Sequence, residues 1–181
     1  SSTSRGLGDV YKRQDMSNVA SKDQRLAAFR LGETMCLCVT SNLDAVTPTP
    51  TELLIIPGTK PYFTGNARIG RDLVSYFHLP TFLGLSSAGQ QEPNDDRTTT
   101  LILRDPLSSS IYGLQTDEII DMIPVYDLED AAREEMVIPA KLTPYCVGVV
   151  SARSKKWALI HLDNIIRDPH FRAVEIPVQR P

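Results

Sequence analysis

A chain of 181 residues, 41% hydrophobic and 23% charged, is sized for one medium domain whose core needs no staples. A net charge of -3 gives no long-range attraction for nucleic acid or an anionic membrane surface, so a protein partner or a small ligand is expected instead. No apolar run approaches the roughly 18 residues that cross a bilayer, which excludes direct membrane insertion by a helix. The three cysteines are an odd number with no mark of export and read as reduced thiols in a cytoplasm.

Residues 1–24 are polar and read as a disordered lead-in, and within them the aperiodic stretch 1–14 has the look of translated adapter sequence. From Arg25 the apolar residues alternate, Gly32-Glu33 supplies a turn, and Met35 to Thr40 alternates again, so RLAAFRLGETMCLCVT reads as a hairpin. Cys36 and Cys38 share a strand face, as a metal-binding pair would, but no second Cys or His pair stands at ligand spacing and small core residues are the plainer reading. Leu43 to Val46 is short, and the Thr-Pro-Thr-Pro run after it reads as a rim loop. Leu53 to Ile56 is an apolar run that ends at the Pro57-Gly58 turn.

The next stretch, Pro61 to Leu83, returns as Pro144 to Ile166. Laid over each other without a gap, Pro61, Tyr62, Gly65, His78 and Leu79 fall on Pro144, Tyr145, Gly148, His161 and Leu162, and the apolar pattern follows the identities. One supersecondary unit used twice implies two similar half-sheets or sub-barrels. Gly65 and Gly148 stand where a strand begins, a position that suits a bend, a bulge or close backbone approach.

Between the two copies, the breaker-rich Ser86 to Arg97 reads as the linker between halves. Thr98 to Leu103 and Ser110 to Thr116 form a further hairpin, Ile119 to Pro124 a short strand, and Leu128 to Met136 a charged turn or loop. Trp157 to Leu162 is an apolar strand, and Pro169 keeps any closing helix short or frayed. Many short strands with turns every roughly 8 to 12 residues imply an all-β architecture with minor helix.

The order of FRLG at Phe29 to Gly32, P-Y-x-x-G with an apolar strand and His-Leu, the segment Gly113, Leu114, Asp117, Glu118, Ile119, and a second P-Y-x-x-G resembles CheW-like domains over residues 25–167. The closing DPHFRAV is similar to the PilI-type adaptors of twitching motility. The resemblance implies two five-stranded β-barrels about a pseudo-twofold, halves at 25–85 and 98–167, and a C-terminal tail at 168–181. It also implies a cytoplasmic, non-catalytic adaptor joining a methyl-accepting chemoreceptor tip to the regulatory domain of a CheA-type histidine kinase, without cofactor. Arg68 and Arg71 are the implied partner-binding residues, and Gly65, Gly113 and Gly148 the structural ones. The chain departs from the family pattern in reading Gly70-Arg71 where Arg-Gly is usual, and Ser75 where Pro is usual.

Two other readings are weaker on chemistry. A ligand-enclosing barrel needs long alternating strands that this chain lacks. A Cys/His metal-dependent enzyme would draw on the three histidines and three cysteines, but His78 and His161 sit at equivalent strand ends where structural histidines are usual.

Overall fold

The structure, a computed structural model, describes residues 24–85 and 98–177. The proposed adapter-derived start and all but the last residue of the lead-in therefore lie outside the described residues, as does the breaker-rich stretch 86–97.

Among the described residues there are eleven strands and three short α-helices: β1 (Arg25–Leu31), β2 (Thr34–Val39), β3 (Leu43–Pro48), β4 (Phe63–Ile69), β5 (Asp72–His78), α1 (Leu79–Phe82), β6 (Thr99–Arg104), β7 (Ile111–Thr116), β8 (Glu118–Pro124), β9 (Glu129–Ala131), β10 (Cys146–Ala152), β11 (Lys155–His161), α2 (Leu162–Arg167) and α3 (Pro169–Arg172). Leu43 to Pro48 is longer than the sequence implies. It holds its proline because β3 is an edge strand, where a missing N–H breaks no ladder.

The chain forms two compact units, and they are not the sequential halves 25–85 and 98–167. One unit joins residues 24–41 to 119–162 around a six-stranded sheet, β8-β1-β2-β11-β10-β9. The other joins 42–85 and 98–118 to 163–177 around a five-stranded sheet, β3-β6-β7-β5-β4. Among the described residues neither sheet closes into a barrel. The first hairpin is thus set beside the last, because β11 pairs with β2 in parallel from Ala158↔Cys36 to His161↔Val39. Parallel neighbours cannot be joined by a tight turn, so no local signal in the sequence announces such a pair. The elements on either side of 86–97, α1 and β6, belong to the same unit.

The internal repeat survives this rearrangement in detail. β4-β5 and β10-β11 have matching bounds under the gapless alignment, and each hairpin shifts register at the same step, between Phe63 and Gly65 and between Cys146 and Gly148. β5 then pairs in parallel with β7, as β11 does with β2, and β7 and β2 each pair antiparallel with their own hairpin partner. The middle of the chain carries one complete copy of this plan. The other copy is assembled from the two outer portions.

Each unit has its own core. In the first, Leu26, Ala28, Leu37, Ile123, Trp157 and Leu159 pack together, and the Trp157 indole donates to the Ala152 carbonyl at 2.9 Å. In the second, six rings, those of Tyr62, Phe63, Phe77, Phe82, Tyr112 and Phe171, meet at centroid separations of 4.5 to 6.4 Å, within the range of favourable aromatic pairs. Phe171 is fully buried there, and the Tyr62 hydroxyl donates to the carbonyls of Phe171 at 2.8 Å and His170 at 3.0 Å. Beyond α3 the backbone bonds back to the loop before β4, Lys60 N–H to Val174 and Ile176 N–H to Gly58. As far as residue 177, then, the stretch read as a tail is an integral part of the second unit.

Candidate docking surface

The β4-β5 hairpin carries both arginines singled out by the sequence. Its two-residue loop places Gly70 (φ +62°) at the first central position, where a left-handed backbone suits glycine, and Arg71 at the second. Arg68 lies opposite Leu73 across the hairpin, and the two side chains share a face. Both arginines are exposed, and among the described residues neither has an ion-pair partner. The adjacent Asp72 carboxylate is taken by Arg104 at 3.3 Å, and Arg104 is also bound to Asp44 at 3.1 Å. Among the described residues, two cations without an ion-pair partner are therefore presented at the tip.

The equivalent hairpin of the other unit differs in chemistry. Its loop residues Arg153 (φ 52°) and Ser154 (φ 60°) both adopt left-handed backbone, the requirement of a type I′ turn. Arg153 is paired with Asp127 at 3.4 Å and lies 3.9 Å from Asp121, and Lys156 is bound to Glu135 at 2.7 Å, which holds the Glu135 carboxyl below the usual carboxylate range. Ser151 and Ser154 stand where the first hairpin has Arg68 and Arg71.

The free arginines are set among apolar side chains that face solvent. Leu54 is 70% exposed, Ile55 67%, Leu73 58% and Ile69 50%. Sequence reasoning gave these four no role at the surface. The signal was present for Ile69 and Leu73, which lie within two residues of the two-residue loop at a hairpin tip.

Of the three glycines singled out by the sequence, Gly65 lies in the hairpin that carries this tip. Gly65 has φ +139°, and a β-carbon on it would stand 2.7 Å from the Leu54 carbonyl oxygen, so the register shift and the approach of the 53–56 segment both depend on glycine. Gly113 lies in β7 beneath Tyr76, its partner in β5. Gly148 is buried at the matching register shift in β10. Of the segment that carries the resemblance, Gly113 and Leu114 are in the middle of β7 and Asp117 is at the junction with β8.

The remaining candidates are structural in setting. His78 is buried and caps α1: its Nδ1 accepts from the Thr81 amide at 3.3 Å and lies 2.7 Å from the Thr81 hydroxyl. Its pKa is lowered by burial, against a smaller opposing effect of Asp117. Cys36 and Cys38 are core residues, and burial pushes the Cys36 thiol well up, the reverse of what a nucleophile or metal ligand requires.

Among the described residues no helix is long and apolar enough to cross a membrane, and no group of three or more His, Cys, Asp or Glu is placed to hold a metal ion. No protein-family model and no curated protein sequence matches the chain. Among solved structures, it is similar to the scaffolding protein TtCheW from Thermoanaerobacter tengcongensis, with a TM-score of 0.62 and 14% identity over 84% of this chain and 94% of that one. At that identity the likeness is one of fold, and the chain has the CheW-like fold.

Proposed function

We propose that the chain is a non-catalytic chemosensory adaptor, working in the cytoplasm, that couples a chemoreceptor tip to the regulatory domain of a CheA-type histidine kinase. The observation that carries this reading is the contrast between the two hairpin tips. Two units of one topology present different chemistry at the same place, free Arg68 and Arg71 among exposed apolar residues in one, serines and ion-paired basic residues in the other. An adaptor for two unlike partners needs two unlike faces, and apolar contact ringed by charge is the usual composition of a modest protein interface. The likeness in fold to a scaffolding protein supports the same reading. The finer assignment to a pilus-motility pathway rests on the PilI-like DPHFRAV segment, whose phenylalanine anchors the second unit.

Size-exclusion chromatography with light scattering tests the proposal on the pure chain mixed with a CheA-type regulatory domain and a receptor tip from the same cell. A three-component complex is expected. Failure to bind either partner, or turnover of a substrate by the chain alone, contradicts it.

A further inference from the structure

The repeat supplies an internal comparison for the edge of the second unit's sheet. In the first unit β10 is covered by β9, with Val149 opposite Ala131, Val150 opposite Asp130 and Ser151 opposite Glu129. The equivalent of Val149 in β4 is Asn66. It too has an antiparallel partner, Leu54, and exchanges both backbone bonds with it, Leu54 N–H to Asn66 at 2.7 Å and Asn66 N–H to Leu54 at 3.0 Å. Among the described residues the covering ends there: the Leu54 bridge is isolated, and β4 is the last strand of its sheet.

Strand geometry then fixes what is left open. The Asn66 amide and carbonyl point away from β5, and in an antiparallel ladder backbone groups two residues apart point to the same side, so those of Arg68 point to the open edge. Its counterpart Ser151 is the residue that β9 covers. The covering strand in the first unit reads Glu129-Asp130-Ala131, whereas the open edge bears Arg68 and Arg71 with Ile69 beside them.

We infer that the free edge of β4 at Arg68 is a strand-addition site, and that its occupant is an extended acidic segment of a partner protein laid antiparallel to β4 as β9 lies on β10. Backbone bonds to Arg68 supply affinity. Arg68 and Arg71 select carboxylates, and exposed Ile69 and Leu54 take apolar side chains. The inference deepens the docking role proposed for this hairpin and rests on it. It adds the mode of binding and the chemistry of the segment bound.

The probe is a synthetic peptide carrying residues 126–136 of this chain, titrated into the full-length protein and followed by backbone amide NMR and hydrogen exchange. The expected result is saturable shifts at Arg68 and Ile69 and at least tenfold slower exchange of the Arg68 amide. A peptide N-methylated along its strand, or with its acidic residues replaced by lysine, is expected not to bind. Equal binding of the N-methylated peptide means side-chain contact only and overturns strand addition, while leaving the docking face in place. An Arg68 amide already protected in the free protein means that the chain's own 51–53 segment closes the edge, and also overturns it. Shifts confined to Ser151 and its neighbours, or no binding at millimolar peptide, overturn it as well. The docking face itself fails separately, if Arg68→Glu with Arg71→Glu leaves binding of the whole partner proteins unchanged.

Discussion

Tyr76 lies over Gly113 across the parallel pair β5-β7, and a β-carbon on Gly113 would stand 2.6 Å from the tyrosine Cδ1 and 2.7 Å from Cε1. Tyr76 is 1% exposed, so the ring can move only by displacing its neighbours. Gly113→Ala should therefore cost about 1 to 3 kcal/mol through overpacking. Combining it with Tyr76→Val, which removes the ring, should cost less than the sum of the two single changes. Urea midpoints of the four proteins measure this, and strict additivity would show that the glycine is not there for the ring.

At Gly65 the obstacle is backbone, since the nearest atom to an added β-carbon is the Leu54 carbonyl oxygen and φ is +139°. A carbonyl cannot rotate away as a side chain does. Gly65→Val should destabilise by about 2 to 4 kcal/mol. It should also speed amide exchange at Asn66, whose N–H bonds to Leu54. A midpoint within experimental error of wild type would contradict the strained geometry.

Phe171 tests whether the closing stretch is structural. Its ring meets those of Tyr62, Phe77, Phe82 and Tyr112, so Phe171→Ala should lose about 3 to 5 kcal/mol and leave a cavity. Thermal unfolding of that variant, and of a chain ended at residue 167, should show two lowered transitions. An unchanged Tm for either would return the segment to the status of a tail.

His78 gives the fold a pH dependence of known sign. Burial lowers its folded-state pKa, so below the ordinary imidazole value of about 6.5 the unfolded chain binds the proton more readily. The contribution is fully present above that value and is lost as pH falls from it through the lowered folded-state pKa. His78→Asn keeps an acceptor for the Thr81 amide but cannot titrate. The gap in Tm between wild type and this variant should move against the wild type between pH 7 and pH 5. A gap that stays constant across that range would contradict the assignment.

The sequence carried the strands because period-2 alternation is local, and it carried the repeat because matching environments kept matching residues, down to the two register shifts at Gly65 and Gly148. It misdirected the division into halves, since the pairing of β11 with β2 joins residues 120 or more apart in the chain through main-chain bonds that no side chain advertises. Phe171 was hidden for a related reason: it lies in a four-residue helix beside Pro169, too short for an apolar period to show. Arg68 and Arg71 were legible as partner-binding candidates through the family resemblance, but the open edge beside Arg68 became visible only once β9 was seen to cover Ser151.

The central claim, that the β4-β5 tip is a docking face for one of two partners, is tested most directly by isothermal titration of wild type and the Arg68→Glu, Arg71→Glu double mutant. The titrants are isolated kinase regulatory domain and isolated receptor tip. Both arginines are exposed, so their reversal should leave the circular dichroism spectrum and Tm unchanged. The account predicts that affinity for one partner falls at least tenfold, about 1.4 kcal/mol, while affinity for the other stays within twofold. Unchanged affinity for both partners in a folded double mutant would contradict it.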